Sequence, residues 1–273
     1  MALRNIGADF EHYRVVEFDK YAVASYNAIH GTNFPTMDIT QTSAKDLGIT
    51  DTDKYCYVMT YSFPCQDLSV AGKQRGMTKG SGTRSGLLWE VERILDECEE
   101  LPQVLLMENV PMVHSADNMP DFQKWIDFLT SKGYSNYWQD LNARDYGVAQ
   151  NRERCFMVSI LGEWNYKFPQ PIPLEKTMKD YLEDEVPDKY YITSEKAKIL
   201  VDKLISEGKI LTNERTNERT NERTAIELSI SPEPIECART IMARQDRGIS
   251  CISGQGTGVV ETIHLPHELQ QNR

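Results

Sequence analysis

Apolar β-type runs alternate with helically spaced segments along the first half of the chain. Residues 103–108 carry four apolar side chains in succession, as strands covered on both faces tend to do. The predicted strands are 13–19, 54–61, 103–108, 134–141 and 154–161, and the predicted helices are 19–29, 84–100 and 122–132. This repeated β-α-β order predicts an α/β fold, with an open, mostly parallel sheet and helices on both faces.

Composition narrows the class of protein. The 273 residues contain 30 Lys and Arg against 41 Asp and Glu, a formal net charge of −11. No apolar run approaches the roughly 18–20 residues that span a bilayer, and no signal peptide is recognisable. The six cysteines form no Cys-x-x-Cys pair, so neither a zinc knuckle nor a disulfide framework is indicated. We therefore expect a reduced, cytoplasmic protein, and the acidic balance still allows a local basic groove.

The composition and the residue pattern of the sequence change near residue 170. Prolines interrupt residues 162–188, and they are followed by a helical pattern over 194–208. A Thr-Asn-Glu-Arg repeat at 212–224 contains no apolar residue, which predicts a solvated linker or surface loop. Short β-type pieces follow at 225–230 and 258–263. We predict a main domain over 1–170 and a smaller one over 171–273.

Cys65 lies in a turn directly after a predicted strand, where open α/β sheets place their ligands. For an arbitrary cysteine, a small buried side chain is the commoner interpretation. The following segment contains only cations among its charged residues, since no acid occurs between Leu68 and Trp89. Nearby positive charge favours the thiolate, which is the nucleophilic form. The cations of this segment are Lys73, Arg75, Lys79 and Arg84.

Two further segments carry candidate functional groups. Glu108 ends an apolar strand, and Arg152 and Arg154 alternate with other residues, so that on a strand both would face one way. Taken separately, Glu108 could bond to neighbouring amides, and the arginines could belong to a surface ion-pair ladder. A Pro-Cys turn, a strand-end Glu and an Arg-x-Arg in this order are much harder to explain by accident.

These segments make the chain resemble the DNA (cytosine-5)-methyltransferases of bacteria and phages. The family's hallmarks appear as Phe-Pro-Cys-Gln at 63–66, Glu-Asn-Val at 108–110 and Gln-Asn-Arg-Glu-Arg at 150–154. Two cofactor segments also match, at 16–22 and 37–41. The resemblance covers roughly residues 1–165. It implies a Rossmann-like S-adenosylmethionine-dependent methyltransferase sheet, followed by a partial target-recognition region.

The resemblance implies a reaction and assigns roles in it. Cys65 would add to carbon 6 of a cytosine flipped out of DNA, so that carbon 5 takes the methyl group of S-adenosylmethionine. Glu108 would bind or protonate ring N3 and the exocyclic amine. Arg154, supported by Arg152, would hold the cytosine O2. The glycine-rich loop at 72–84 resembles the mobile loop that closes over the base.

The same resemblance assigns the cofactor contacts. Glu17 would bind the ribose hydroxyls and Phe18 would lie beside the adenine. Asp38 would accept a hydrogen bond from the adenine amino group, with Ile39 on the ring, and Pro64 is also expected to contact the cofactor. The resemblance implies double-stranded DNA as partner, a role in restriction-modification or phage self-protection with a possible cognate endonuclease, and no metal.

Parts of the family pattern are missing. The Asp-Leu-Phe-x-Gly-x-Gly-type strand and turn is not found, because the chain begins within the helix that should follow it, and residues 1–7 form under two helical turns. The late threonine-rich and Gly-Asn motifs are also not found. We therefore expect a sequence truncated at both ends. The alternative is a split enzyme completed by another chain; otherwise we expect a monomer.

Two other functions remain open at this point. The chain could be a catalytically inactive, DNA-binding remnant of such an enzyme. It could also be an unrelated cysteine hydrolase that pairs Cys65 with a histidine, although no histidine lies in a recognisable partner motif. The histidines are His12, His30, His114, His264 and His267.

Overall fold

The computed structural model describes residues 1–65, 68, 76–80, 82–183, 187, 195–208, 222–227, 237–239 and 257–262. The α-helices are α1 (Ala2–Asn5), α2 (Lys20–His30), α3 (Ala44–Leu47), α4 (Leu88–Glu97), α5 (Met119–Ser131) and α6 (Glu195–Ser206). The strands are β1 (Val58–Ser62), β2 (Val104–Asn109), β3 (Tyr134–Asn142), β4 (Gln150–Asn151), β5 (Glu153–Leu161), β6 (Glu222–Glu227), β7 (Ala238–Arg239) and β8 (Thr257–Thr262). Short 3₁₀ helices span Ile39–Gln41, Arg84–Leu87, Pro111–His114, Ala143–Asp145 and Met178–Tyr181.

The chain forms two compact units. The first contains residues 1–140 and 154–168, and the second contains residues 141–153 and 169–273. The segment 141–153 therefore groups with the later part of the chain. The domain boundary predicted near residue 170 stays a prediction.

A four-stranded sheet of order β1-β2-β5-β3 organises the first unit. Strands β1 and β2 are parallel, with Ser62 opposite Glu108. Strand β5 runs antiparallel to β2, with Glu108 opposite Phe156. The sheet is therefore mixed, whereas the sequence predicted a mostly parallel one. The apolar character of a buried strand does not show its direction, and this accounts for the difference.

The hydrophobic core of the first unit lies between the sheet and two helices. Along β2, buried and half-buried residues alternate, so that Leu105, Met107 and Asn109 point into the protein. Apolar residues of α4 and α5 pack in the same cluster, and the large side chains Phe122 and Trp125 are fully buried there. This packing fixes the end of β2, where the candidate site begins.

The segment 13–19 differs from its prediction. Its residues belong to no strand in the part of the chain that the structure describes, although they lead correctly into α2. A strand needs a ladder of hydrogen bonds with a neighbouring strand, whereas in this segment the Glu17 carbonyl accepts a hydrogen bond from Met37 N–H at 2.9 Å. Asp19 caps α2 through Tyr21 and Ala22, as predicted.

In the second unit, β6 and β8 form an antiparallel pair, and β4 pairs with β7 in parallel. The end of the Thr-Asn-Glu-Arg repeat is part of β6, with Glu222 opposite Thr262. The prediction of a linker or loop is therefore wrong for residues 222–224, since backbone pairing requires no apolar side chain. The rest of the repeat, 212–221, lies outside the described residues. Among the described helices, none combines the length and the apolar character needed to cross a bilayer.

Candidate active site

Glu108 and Arg154 meet on neighbouring strands. Glu108 is near the end of β2, and Arg154 is the second residue of the antiparallel strand β5. The Arg154 Nε lies 3.0 Å from Glu108 Oε1, and the two side chains are 18% and 32% exposed. The pair is thus half-buried, and a molecule that approaches this end of strands β2 and β5 can reach it.

Ser62 contributes a third polar group that sequence reasoning missed. It ends β1 directly opposite Glu108, and its hydroxyl lies 3.3 Å from Glu108 Oε2. The two carboxylate oxygens of Glu108 therefore face different partners, Arg154 on one side and Ser62 on the other. The position of Ser62 in the sequence could have indicated this contact, because Ser62 and Glu108 are both at the carboxyl ends of adjacent parallel strands.

Cys65 lies in a turn that is tied to the same strand end. The Asn109 side-chain amide donates a hydrogen bond to the Phe63 carbonyl at 3.0 Å, while its oxygen accepts one from Val110 N–H at 2.8 Å. Cys65 itself is half-buried, and its carbonyl accepts a bond from Leu68 N–H at 3.0 Å. The residue after Glu108 thus holds the turn that presents the cysteine.

A second hydrogen bond to this turn, in addition to that of Asn109, comes from the residue after the glycine-rich loop. The Ser85 hydroxyl donates to the Pro64 carbonyl at 2.5 Å, and Ser85 is fully buried. Asn109 is only 2% exposed. Sequence reasoning gave neither residue a role, and a buried polar side chain cannot be recognised from one sequence.

The described part of the loop is anchored to two helices. The Trp89 indole donates to the Met77 carbonyl at 2.6 Å, and Thr78 donates to Asp121 at 2.8 Å. Lys79, one of the predicted phosphate contacts, is paired with Glu92 at 2.9 Å. Two other predicted cations, Lys73 and Arg75, lie outside the described residues, as does Gln66 of the motif.

Arg152 belongs to the second unit. It lies between β4 and β5 rather than within a strand, so the alternation predicted for Arg152 and Arg154 is interrupted. Its backbone N–H donates to the Asn142 side-chain oxygen at 3.1 Å, and its carbonyl accepts from Ala143 N–H at 3.0 Å. These bonds explain the interruption, because they fold residue 152 against residues 142 and 143.

The two predicted cofactor segments are joined by a backbone hydrogen bond. Met37 N–H donates to the Glu17 carbonyl, which brings residues 17 and 38 into neighbouring stretches of chain. Glu17 Oε1 accepts from Asp19 N–H at 2.8 Å, and Asp38 caps the following 3₁₀ helix through Thr40. The Phe18 side chain is 73% exposed. Two carboxyl groups and an exposed aromatic ring thus belong to two stretches of chain that are joined by a backbone hydrogen bond, and these are residues that could hold a cofactor.

Arg93 of α4 supports this region and was missed by sequence reasoning. Its guanidinium donates to the carbonyls of Ile39 and Thr42 at 3.0 and 2.8 Å. It also pairs with Glu90 and Glu97 on its own helix, at 2.8 and 2.9 Å, and these carboxylates raise the pKa of Arg93. The segment after Asp38 is thereby fastened to α4.

Comparison with known proteins decides the family. The family model of the C-5 cytosine-specific DNA methylases matches residues 1–249. The chain belongs to this family. The residues 1–249 that the model matches include the segments that contain Cys65, Glu108 and Arg154.

Several bacterial methyltransferases are similar to this chain. The type II methyltransferase M2.ScrFI of Lactococcus lactis subsp. cremoris is 48% identical over 134 residues, 49% of this chain and 37% of the relative. The orphan methyltransferase M.SssI of Spiroplasma monobiae is 42% identical over 171 residues, 60% of this chain and 42% of the relative. The type II methyltransferase M.HhaI of Haemophilus parahaemolyticus is 34% identical over 217 residues, 78% and 59% respectively. The aligned part thus spans between 37% and 59% of these relatives.

Solved structures support the fold class. The Schizosaccharomyces pombe Dnmt2 methyltransferase superposes with a TM-score of 0.53 at 22% identity, covering 72% of this chain and 59% of that one. The Entamoeba histolytica methyltransferase EhMeth gives a TM-score of 0.55 at 18% identity, covering 65% and 53%. The predicted Rossmann-like α/β methyltransferase fold is confirmed.

Proposed function

We propose that this chain acts as a DNA (cytosine-5-)-methyltransferase, which moves the methyl group of S-adenosylmethionine to carbon 5 of a cytosine in DNA. The contact between Glu108 and Arg154 carries this proposal, because Asn109 ties the Cys65 turn to the same strand end. The site then contains a thiol, a carboxyl group and a guanidinium. These are the groups needed to add to a pyrimidine ring and to hold its polar edge.

Cys65 is the proposed nucleophile. Its thiolate adds to carbon 6 of the cytosine, and the electrons of the carbon 5–carbon 6 double bond make carbon 5 nucleophilic. Bound S-adenosylmethionine supplies an electrophilic methyl group, which carbon 5 takes while the sulfonium sulfur keeps the electron pair of the broken bond. Loss of the carbon 5 proton to solvent then restores the double bond and releases the Cys65 thiolate.

Glu108 and Arg154 are proposed to hold the base during the addition. In its protonated form Glu108 donates its proton to ring N3 and accepts a hydrogen bond from the exocyclic amine, which offsets the charge brought by the thiolate. Arg154 has five N–H donors, so its Nε can stay on Glu108 while the terminal nitrogens face the cytosine O2. Arg152 is the proposed support of that contact.

The cofactor is proposed to lie against the segments that contain Glu17 and Asp38. Glu17 accepts hydrogen bonds from the ribose hydroxyls, and Asp38 accepts one from the adenine amino group. The exposed Phe18 ring stacks on the adenine, with Ile39 on its other side. Pro64, next to the nucleophile, contacts the methionine part and brings the methyl group near the target carbon.

Double-stranded DNA is the proposed macromolecular substrate, and the base must leave the helix because carbon 6 is not accessible to a thiol inside a stack. The loop 72–84 is proposed to close over the flipped base, its cations contacting phosphates. This requires the loop to leave its contacts with the two helices, so that Lys79 exchanges Glu92 for a phosphate. We propose that the chain acts in the cytoplasm. We propose a monomer, in restriction-modification or phage self-protection, with a cognate endonuclease as a possible companion.

Transfer of a labelled methyl group tests the proposal. The full chain is incubated with S-adenosylmethionine labelled in the methyl group and unmethylated DNA, and label in DNA is measured with Cys65→Ala as control. We expect incorporation that depends on Cys65. DNA binding without incorporation would instead support the inactive, DNA-binding remnant and would contradict the proposed catalysis.

A further inference from the structure

Three potential metal ligands converge behind the candidate active site. They are His114, Asp140 and Cys155, which belong to the 3₁₀ helix after β2, to β3 and to β5. Cys155 follows Arg154 along β5, and successive side chains of a strand point to opposite faces. Cys155 lies opposite Asn109, on the buried face of the sheet. The cluster is therefore separate from the Glu108–Arg154 pair.

The geometry of the cluster suits a bound ion. One ligand atom from each of the three residues lies within 4.8 Å of the others, and His114 Nε2 is 2.9 Å from Asp140 Oδ2. The Trp138 ring, with its centroid 4.7 Å from that of His114, restricts rotation of the imidazole. The His114 and Asp140 side chains are 21% and 29% exposed, while Cys155 is fully buried. An ion can thus enter from solvent between His114 and Asp140 and reach the buried thiol of Cys155.

We propose that His114, Asp140 and Cys155 form a zinc-binding site. A nitrogen, an oxygen and a sulfur ligand together suit Zn²⁺, and three protein ligands leave the fourth tetrahedral position for water. The ion replaces the thiol proton, which passes to solvent, and it takes one Asp140 oxygen from its contact with His114. Bound zinc would join β3 and β5 to the turn after β2, and so would stabilise the strand end that carries Glu108.

The competing interpretation is a hydrogen-bonded cluster without metal. Burial, together with the charge and the hydrogen bond of Asp140, raises the pKa of the Cys155 thiol to about 12. In that state the thiol keeps its proton and its S–H donates a hydrogen bond to Asp140. The two interpretations differ in whether a divalent cation displaces this proton at neutral pH.

Cobalt substitution distinguishes them, because Co²⁺ takes zinc sites and a cysteine ligand gives a thiolate-to-cobalt charge-transfer band. The full chain, first freed of metal with a chelator, is titrated with Co²⁺ and then with Zn²⁺. We expect one Co²⁺ per chain, the band, its loss when Zn²⁺ displaces cobalt, and a higher melting temperature with Zn²⁺. Absence of the band would overturn the proposal.

Variants locate the ligands. Cys155→Ser should abolish the band, while His114→Gln and Asp140→Asn should weaken binding by more than the roughly 10–100-fold that outer-shell changes cost. Cys56→Ser, at an exposed cysteine, is the matched control, and Cys65→Ala excludes the proposed nucleophile as the sulfur ligand. A band that survives Cys155→Ser, or disappears in Cys65→Ala, would overturn the proposal. If Cys155→Ser does not fold, the other two variants decide.

Discussion

At the scale of single residues, Asn109 connects the two halves of the candidate site. Its amide donates to the Phe63 carbonyl next to the Pro-Cys turn, and its own backbone continues from Glu108. A side chain that is 2% exposed cannot exchange this bond for one with water. The relative position of thiol and carboxyl thus depends on an amide that does not itself touch the substrate.

Replacing Asn109 tests this dependence. Asn109→Ala leaves the buried Phe63 carbonyl without its donor, which should lower the free energy of unfolding by about 1–3 kcal/mol. Urea unfolding followed by circular dichroism measures the change, and methyl transfer should fall as well. Asn33→Ala, at an exposed asparagine, is the control and should change neither quantity. Unaltered stability in Asn109→Ala would contradict the clamp.

Arg154 is expected to act through its fork of donors rather than through its charge alone. Arg154→Lys keeps the charge but cannot bond Glu108 and the base together. We expect kcat to fall by roughly 100-fold, the usual cost of losing one donor to a developing negative charge. Steady-state methyl transfer measures this, with Arg144→Lys, an exposed arginine, as control. An equal effect in both variants would argue against the assigned role.

At the scale of elements, α4 positions the proposed cofactor segment. Its Arg93 binds the carbonyls of Ile39 and Thr42, so the short 3₁₀ helix after Asp38 cannot shift without breaking charged hydrogen bonds. The helix itself was predictable, since its apolar residues recur at helical spacing. Its polar contacts with a segment some fifty residues earlier were not, because no local pattern records them.

Arg93→Ala should therefore weaken cofactor binding without removing a cofactor contact. We expect the Kd for S-adenosylmethionine to rise by about tenfold, which corresponds to about 1.4 kcal/mol. Isothermal titration calorimetry measures the affinity. Lys45→Ala, which removes an exposed cation from α3, is the matched control and should bind normally. If both variants bind as tightly as the unaltered chain, α4 does not position the segment.

The strands show the same limit of sequence reasoning. The sequence predicted strands at the positions of β1, β2, β3 and β5, and the predicted helices 19–29 and 122–132 correspond to α2 and α5. Residues 13–19 have the residue types of a strand as well, and yet they form no strand in the part of the chain that the structure describes. Whether an extended segment joins a sheet depends on a hydrogen-bonding neighbour, which is a property of the fold rather than of the segment.

At the scale of the whole molecule, hydrogen-bonded carboxylates tie distant segments together. Glu100 accepts bonds from the Thr52 N–H and hydroxyl at 2.8 and 2.6 Å, and from Asp51 N–H at 3.3 Å. These bonds lower the pKa of Glu100 below its ordinary value. Hydrogen bonds likewise lower the pKa of Asp46 and Glu97. The unfolded chain therefore takes up protons at higher pH than the folded one.

Stability should consequently fall with acidification. Because the lowered carboxyl pKa values belong to the folded state, their contribution is complete above about pH 5 and is lost as the pH falls through the lowered values. We expect the urea midpoint to decline over this range and to decline less steeply in Glu100→Gln. Glu99→Gln, an exposed neighbour, should keep the original slope. A slope unchanged in Glu100→Gln would show that the Thr52 contacts do not contribute.

Covalent trapping tests the central claim most directly. The full chain is incubated with S-adenosylmethionine and a DNA duplex whose cytosines are replaced by 5-fluorocytosine. Release of Cys65 requires a base to remove the proton from carbon 5. Fluorine at that position cannot be removed as a cation, so the covalent adduct cannot break down. We predict a protein–DNA complex that survives denaturation, that maps to the peptide containing Cys65 and that is absent in Cys65→Ala. Methyl transfer to ordinary DNA without any such complex, or an adduct on another residue, would contradict the account.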